Sequence, residues 1–477
     1  MIRFRFRLLA VWLAALCGAA TADGADARPN VLLLVSDDQR PNTIGALGND
    51  HIHTPHIDAL VKRGTVFTRA VAPNPICTPS RAELISGCTG FRNGVLDFGK
   101  RLAADLTLWP QAMRAAGYHT WHVGKWDLGG QPTGHGYEAT DGLFTGGSRL
   151  AQSFPHDFAG RDTTGYRGWV FRTDEGQPLP ERGVGLTPDI SRRFADAAIR
   201  LLKRKSDRPF FLHVNFTAPH DPLLIPPGKA EQARPDRARL LANFLPEHPF
   251  EHGNLRGRDE LLWPWPRTPD IVRAELAAYY AVIEDMDEQI GRILHALAES
   301  GEAANTLVVF TSDQGLAIGS HGLRGKQNMY EHTIGAPLVM CGPKVPAGRR
   351  IDAQCYLRDL YPTVCELANV PAPQGLDGRS LVPLLRGKVR EVYPFTVGYF
   401  RDAQRMVRTE RWKLIVYPKV GRWQLFDLAN DPDELDDLST KPELQTTIAE
   451  LRGELIEWQR KYGDPVVLPP LPAVSHS

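Results

Sequence analysis

The chain has 477 residues, 42% hydrophobic and 23% charged, a composition that suits a globular protein with one extensive core and a smaller one. Lysine and arginine together number 56 against 55 acidic residues, a formal charge of +1. So even a balance argues against nucleic acid or an acidic membrane as a partner, and any anion must be held locally.

In chain order, Arg3, Arg5 and Arg7 precede an apolar run from Leu8 to Ala20 and the small residues Ala20-Thr21-Ala22. This predicts a secretory signal peptide over residues 1–22, too short to span a membrane, and therefore an exported protein, periplasmic or secreted. No later run of about 18 apolar residues predicts an integral membrane segment in the mature chain. Beyond the leader stand Cys77, Cys88, Cys341, Cys355 and Cys365. Exported thiols normally pair, so an odd number leaves at least one unpaired or modified.

Apolar runs predict strands over residues 30–36, 118–124, 210–216, 306–311 and 337–341, and 3.6-residue periodicity predicts helices over 108–116, 189–205 and 271–299. Residues 352–370 read as a further helix that carries Cys355 and Cys365 as small apolar side chains. The stretch 130–186, rich in glycine, proline, arginine and aromatics, reads as insertions over a crevice. From about residue 380 the texture changes to short antiparallel strands and a closing helix. The fold class is therefore α/β. A large domain with a mostly parallel central sheet flanked by helices spans residues 28–379, and a small C-terminal α+β domain with an antiparallel sheet spans 380–477.

Polar clusters follow the strands: Asp37-Asp38, Lys125-Trp126-Asp127, Ala218-Pro219-His220 and Asp313-Gln314-Gly315. In open α/β sheets the ligand crevice lies beyond the carboxyl ends of the strands, so these distant segments should converge there. Adjacent carboxylates repel unless a cation lies between them. Asp37, Asp38, Asp313 and Gln314 together offer oxygen and neither sulfur nor imidazole, which suits Ca²⁺, with Mg²⁺ as the alternative.

The segment Cys77-Thr78-Pro79-Ser80-Arg81-Ala82, followed by Leu84 and Ser86-Gly87, resembles the signature of the formylglycine-dependent type I sulfatases, within the alkaline-phosphatase-like superfamily. The resemblance extends to Gly124-Lys125-Trp126, Ala218-Pro219-His220, Ser312-Asp313-Gln314-Gly315, the run HGLRGKQNMYEH and the C-terminal tail, and so covers nearly all of the mature chain. It implies that a maturation enzyme oxidises Cys77 to formylglycine, whose hydrate offers one hydroxyl to attack sulfur and a second whose deprotonation expels sulfate. It implies, too, that residue 77 completes a metal shell made by Asp37, Asp38, Asp313 and Gln314. Arg81 would hold the nucleophile, Lys125 and Lys326 would grip sulfate oxygens, and His220 would protonate the leaving alcohol.

The pattern breaks at Asp127, where the family usually has a histidine that takes the proton from the second hydroxyl. Asp127 is therefore the expected base or substrate contact. Gln314 stands where asparagine or histidine is common, and still delivers an amide oxygen. The implied activity is hydrolysis of sulfate from a sulfated mono-, oligo- or polysaccharide. The alternatives are a phosphonate or phosphate ester hydrolase of the same superfamily, and a non-catalytic protein that binds sulfated glycans and whose Cys77 stays a thiol.

Overall fold

A computed structural model describes residues 28–471, so the predicted signal peptide lies outside the described residues. Strands β1 (Asn30–Ser36), β2 (Thr65–Val71), β3 (His119–Lys125), β4 (Ala139–Thr145), β5 (Val170–Arg172), β6 (Phe210–Asn215), β7 (Thr306–Ser312), β8 (Gly335–Ala336), β9 (Leu338–Cys341) and β10 (Arg349–Tyr356) build one mixed sheet. Their order is β10-β2-β9-β7-β1-β6-β3-β4-β5, with β8 paired to β2. The central strands β7, β1, β6 and β3 run parallel to one another. β1 and β7 are buried along their whole length, which is why their sequences are uninterrupted apolar runs and not alternating ones.

Register brings the strand ends level. Ser36 lies opposite Ser312, and Asn215 lies opposite both Val35 and Gly124. Immediately beyond, the Asp37 amide donates to the Ala218 carbonyl at 2.9 Å and the Asp313 amide donates to the Ser36 carbonyl at 3.2 Å. The polar segments that follow β1, β6 and β7 are thereby tied to one another before any side chain is considered.

Two helices fix this edge. Helix Cys77–Ser86 is buried at every position and stops at Gly87, whose φ of 66° is left-handed. Its Glu83 is paired with Arg358 at 2.7 Å, so the helix carries no unpaired acid into the core. Helix Pro269–Glu299 starts at Thr268, whose hydroxyl accepts from the Ile271 amide. It presents Tyr279, whose hydroxyl donates to the Asp38 carbonyl and accepts from the Arg40 amide, which pins the turn after β1.

A second sheet, β11 (Thr396–Phe400), β12 (Gln404–Arg408), β13 (Trp412–Tyr417) and β14 (Arg422–Asp427), is antiparallel throughout. On β13, Leu414 and Val416 face the helix Gln445–Tyr462 through Ile448 and Leu455, while Ile415 and Tyr417 pack on Tyr330. This is the period-two division of a sheet covered on both faces. Leu381, Val382, Leu384 and Leu385 belong to the core of the large sheet, so the four-stranded sheet begins well beyond residue 380.

Two sequence expectations are corrected. Residues 352–370 are not one helix: Cys355 lies on β10, and only Cys365 lies on a helix, Leu360–Leu367. The pairing of β10 with β2 shifts register between Ile351 and Gln354, which breaks the alternation that would have marked a strand. The stretch 130–186 is not wholly insertion, because β4 and β5 within it extend the sheet at one edge. No described helix is long and apolar enough to cross a membrane. Cys77, Cys88, Cys341, Cys355 and Cys365 are free thiols.

The close approach of β3 to β6 depends on Gly124. Its φ is 89°, and a Cβ there would lie 2.0 Å from the Asn215 carbonyl oxygen. Gly124→Ala should therefore lower unfolding free energy by at least about 2 kcal/mol in urea titrations, with Gly99→Ala, where φ is 71° but nothing lies within 4 Å, costing clearly less.

Candidate active site

The strand ends, the first turn of helix Cys77–Ser86 and the Gly325–Lys326 loop meet around a cavity of about 400 Å³. Cys77, Lys125, Asp127, His220 and Lys326 all line it. Arg81 lies beneath, one turn along the helix from Cys77, and is only 4% exposed.

The charges are arranged in buried pairs. Lys125 Nζ donates to Asp37 Oδ2 at 2.8 Å, and Lys326 Nζ donates to both oxygens of Asp38 at 2.8 Å. Arg81 lies 2.9 Å from Asp313 Oδ2, donates to Asn215 Oδ1 at 2.8 Å, and stands 3.7 Å from Asp37. Burial opposes the charge of Lys125 and of Lys326 most strongly, but the neighbouring acidic groups together, led by Asp37 and Asp38 respectively, outweigh it and hold both ammonium groups above their ordinary range. Burial likewise opposes ionisation of Asp37, and Lys125 foremost reverses the effect and drives its pKa well below the usual carboxylate range. Asp313 differs: burial prevails over Arg81 and raises its carboxyl to about 7.

Cys77 sits at the centre. Its thiol donates to Asp37 Oδ1 at 3.3 Å and accepts from Lys326 Nζ at 3.0 Å. Burial, then the Asp37 charge, pushes its pKa well above that of a free thiol. A thiolate at this position is therefore disfavoured, and an unmodified Cys77 is a poor nucleophile.

The predicted metal ligands meet in part. Ligand atoms of Asp37, Asp38, Cys77 and His220 lie within 4.8 Å of one another. Gln314 reaches the same point, its Nε2 2.6 Å from Asp38 Oδ1 and 3.3 Å from Cys77, while its Oε1 is buried with no hydrogen-bond partner. Turning that amide end for end directs the oxygen at the carboxylates, an arrangement that a cation between them favours. Asp313 stands beside the group with Oδ1 taken by the amides of Asp38 and Gln314. Two fully buried carboxylates and an orphaned amide oxygen fit a hard divalent cation.

His220 is oriented from behind. Its Nδ1 contacts the Asp221 carbonyl oxygen at 2.6 Å, which leaves Nε2 facing Asp38 Oδ2 at 3.5 Å. Asp221 is itself gripped by Arg258 and Arg324. Asp127 accepts a hydrogen bond from the Thr78 hydroxyl at 2.8 Å and lies 3.8 Å from Lys125 Nζ. His321 and His332 sit away from this point, in a buried stack with Tyr330.

Sequence reasoning missed Asn215, Asp221 and Tyr166. Asn215 carried a signal, a polar residue closing a buried apolar strand. Asp221 adjoins a predicted site residue, but its arginine partners lie 37 and 103 positions away. Tyr166 lies in a loop with no periodicity.

Comparison with known proteins bears on this arrangement. The sulfatase family profile matches residues 29–370, and that of the N-sulphoglucosamine sulphohydrolase C-terminal region matches residues 319–461. The chain is 26% identical to an N-acetylglucosamine-6-O-sulfatase of Bacteroides thetaiotaomicron, over 92% of this chain and 87% of that protein. It is 28% identical to an ulvan-active sulfatase of Formosa agariphila, over 92% and 82%. A phosphonate monoester hydrolase of Agrobacterium radiobacter shares the fold with a TM-score of 0.74 at 24% identity, over 91% of this chain and 96% of that one.

The buried pairs yield a stability prediction. In chelator-treated protein, Lys326→Met strands the Asp38 carboxylate and should cost about 3–5 kcal/mol in urea unfolding. The double variant Lys326→Met with Asp38→Asn should recover much of that loss.

Proposed function

Because the chain belongs to the sulfatase family, and is thus a sulfuric ester hydrolase, we propose that it is an exported enzyme that removes sulfate from a sulfated carbohydrate, with Cys77 converted to formylglycine and Ca²⁺ bound beside it. The observation that carries this reading is the setting of Cys77. It heads a buried helix at the floor of a cavity, between Lys326 and Asp37, where burial suppresses thiolate chemistry. Oxidation at this position by a maturation enzyme replaces a suppressed thiol with a hydrated aldehyde, whose two hydroxyls supply the nucleophile and the exit. Asp37, Asp38, Asp313, Gln314 and residue 77 would hold Ca²⁺, which would supply Lewis-acid stabilisation of charge when bound.

The chain's own residues do the rest. Lys125 and Lys326 place two ammonium groups at the cavity floor, where the non-bridging oxygens of a sulfate ester gather negative charge. Arg81 neutralises Asp313 and Asp37 from beneath and holds the first turn of the helix against the strand ends. His220 presents Nε2 to the cavity with Nδ1 engaged, so a proton on Nε2 is placed to pass to the departing alcohol oxygen. Asp127, in the same cavity and joined to the hydroxyl of the residue next to Cys77, takes the proton that the family's histidine would take.

A carbohydrate as the alcohol part is supported by the relatives' names and by the outer wall. There Phe98, 50% exposed, offers an apolar ring face, and Asn254 and Gln327 offer amides. Export is supported by the leader-like N-terminus.

The reading is tested by expression with a formylglycine-generating enzyme and mass spectrometry of the Cys77 peptide, which should weigh about 18 Da less than the cysteine form. The purified protein should release sulfate from a panel of sulfated mono- and disaccharides in preference to alcohol and phosphonate from matched phosphonate monoesters. An unconverted Cys77, or turnover of phosphonates alone, overturns the reading. On the same substrate, Asp127→Asn should lower kcat by about 10²–10⁴-fold while Asp127→His retains activity, and wild-type turnover by the asparagine variant would remove Asp127 from the mechanism.

A further inference from the structure

Tyr166 reaches the site from outside the sequence motifs that supply the lysines, the acids and His220. It belongs to the long connection between β4 and β5, yet it is only 6% exposed and its hydroxyl donates to Asp37 Oδ2. Its φ is 56°, a left-handed conformation that a bulky residue adopts only when the surroundings dictate it. The residue before it, Gly165, lies so close to Asp221 that a Cβ would come within 2.4 Å of the Asp221 carbonyl oxygen. The loop is therefore pressed onto the segment that carries His220.

The ring is as engaged as the hydroxyl. Lys125 Nζ stands 5.2 Å from its centroid, and the His220 imidazole meets it edge-on at 4.9 Å with an interplanar angle of 75°. Trp169 backs it at 4.9 Å, and the Trp169 amide donates to the Tyr166 carbonyl at 3.0 Å. Tyr166 thus touches an acid, a lysine and a histidine that the proposed function places in the machinery, and it lines the same cavity.

We infer that Tyr166 is a positioning residue: its hydroxyl and Lys125 together hold Asp37 Oδ2, which turns Oδ1 toward residue 77, and its ring fixes the Lys125 ammonium and the His220 imidazole. The hydroxyl acts on Asp37 as outer-shell partners act on metal-ligating carboxylates, by removing their rotational freedom. The ring adds a cation–π contact for Lys125 in a water-poor site and a wall that limits His220 to the rotamer with Nε2 inward. A tyrosine that merely fills space needs neither the left-handed backbone nor a shared oxygen with Lys125.

The inference rests on the proposed function, and the test separates the two. Full-length wild type, Tyr166→Phe and Tyr166→Leu are prepared with formylglycine content checked by mass spectrometry and folding checked by circular dichroism and thermal midpoint. Ca²⁺ affinity is read by competition with a chelator, and kcat and KM are read on the best sulfated saccharide. Tyr166→Phe should bind Ca²⁺ about 10-fold more weakly and lose about 10-fold in kcat with KM within about twofold. Tyr166→Leu should lose about a further 10-fold in kcat, because Lys125 and His220 then lack their wall. A phenylalanine variant with wild-type Ca²⁺ affinity and kcat overturns the role of the hydroxyl, and a leucine variant equal to the phenylalanine one overturns that of the ring. A lowered midpoint with unchanged kcat and Ca²⁺ affinity makes Tyr166 structural only. A wild-type protein that neither binds Ca²⁺ nor releases sulfate overturns the proposed function as well.

Discussion

Three carboxylates, Asp37, Asp38 and Asp313, are buried together at the ends of two adjacent strands, and three cations, Lys125, Lys326 and Arg81, are buried with them. Neither set is tolerable alone, since an unpaired charge in such surroundings costs several kcal/mol. Everything near the site serves this mutual compensation. The sheet register brings β1, β6 and β7 level, Gly124 lets β3 close in so that Lys125 reaches Asp37, and helix Cys77–Ser86 delivers Arg81 from below. The same compensation leaves a floor lined by ammonium groups under the cavity, which is what a tetrahedral oxyanion requires.

Much of this was legible in the sequence, for a physical reason. Strands buried on both faces appear as largely apolar runs, unbroken inside β1 and broken only by His and Thr in β3 and His in β6, so the polar residues just past them mark the carboxyl ends of the sheet and bring Asp37, Asp38, Lys125, His220 and Asp313 to one crevice. What escaped lacked such a pattern. Cys355 reads as helical in the sequence because a register shift in β10 interrupts the alternation. Tyr166 gave no signal, because a residue positioned by backbone strain and ring contacts in an irregular loop has no period to read. Arg258 and Arg324, which hold Asp221 behind His220, are far from it in sequence, and pairings of that kind are set by topology.

The site also shows how an acid outside the three strand-end carboxylates is accommodated. Asp127 adds a fourth acid near the cluster, yet its carboxylate accepts from Thr78 and stands close to Lys125, so the added charge has neighbours of the right sign. Thr78 directly follows Cys77, which couples Asp127 to the helix start by one hydrogen bond. Asp127 is thus built into the architecture of the site and does not dangle at its edge.

The pairs that hold the site together join residues far apart along the chain: 88 positions separate Asp37 from Lys125, and 288 separate Asp38 from Lys326. None of these partners can meet until the sheet has closed from β3 to β7 and the later loop has folded over it, so a partly folded chain holds its acids and bases unpaired and in water. Closure of so non-local a sheet is slow, because the entropy of ordering the intervening chain is lost before the contacts return it. Correct pairing of the charges therefore coincides with correct register of the strands. A strand docked out of register would bury an ion without its partner, and the several kcal/mol of that error would reopen the structure before it could set.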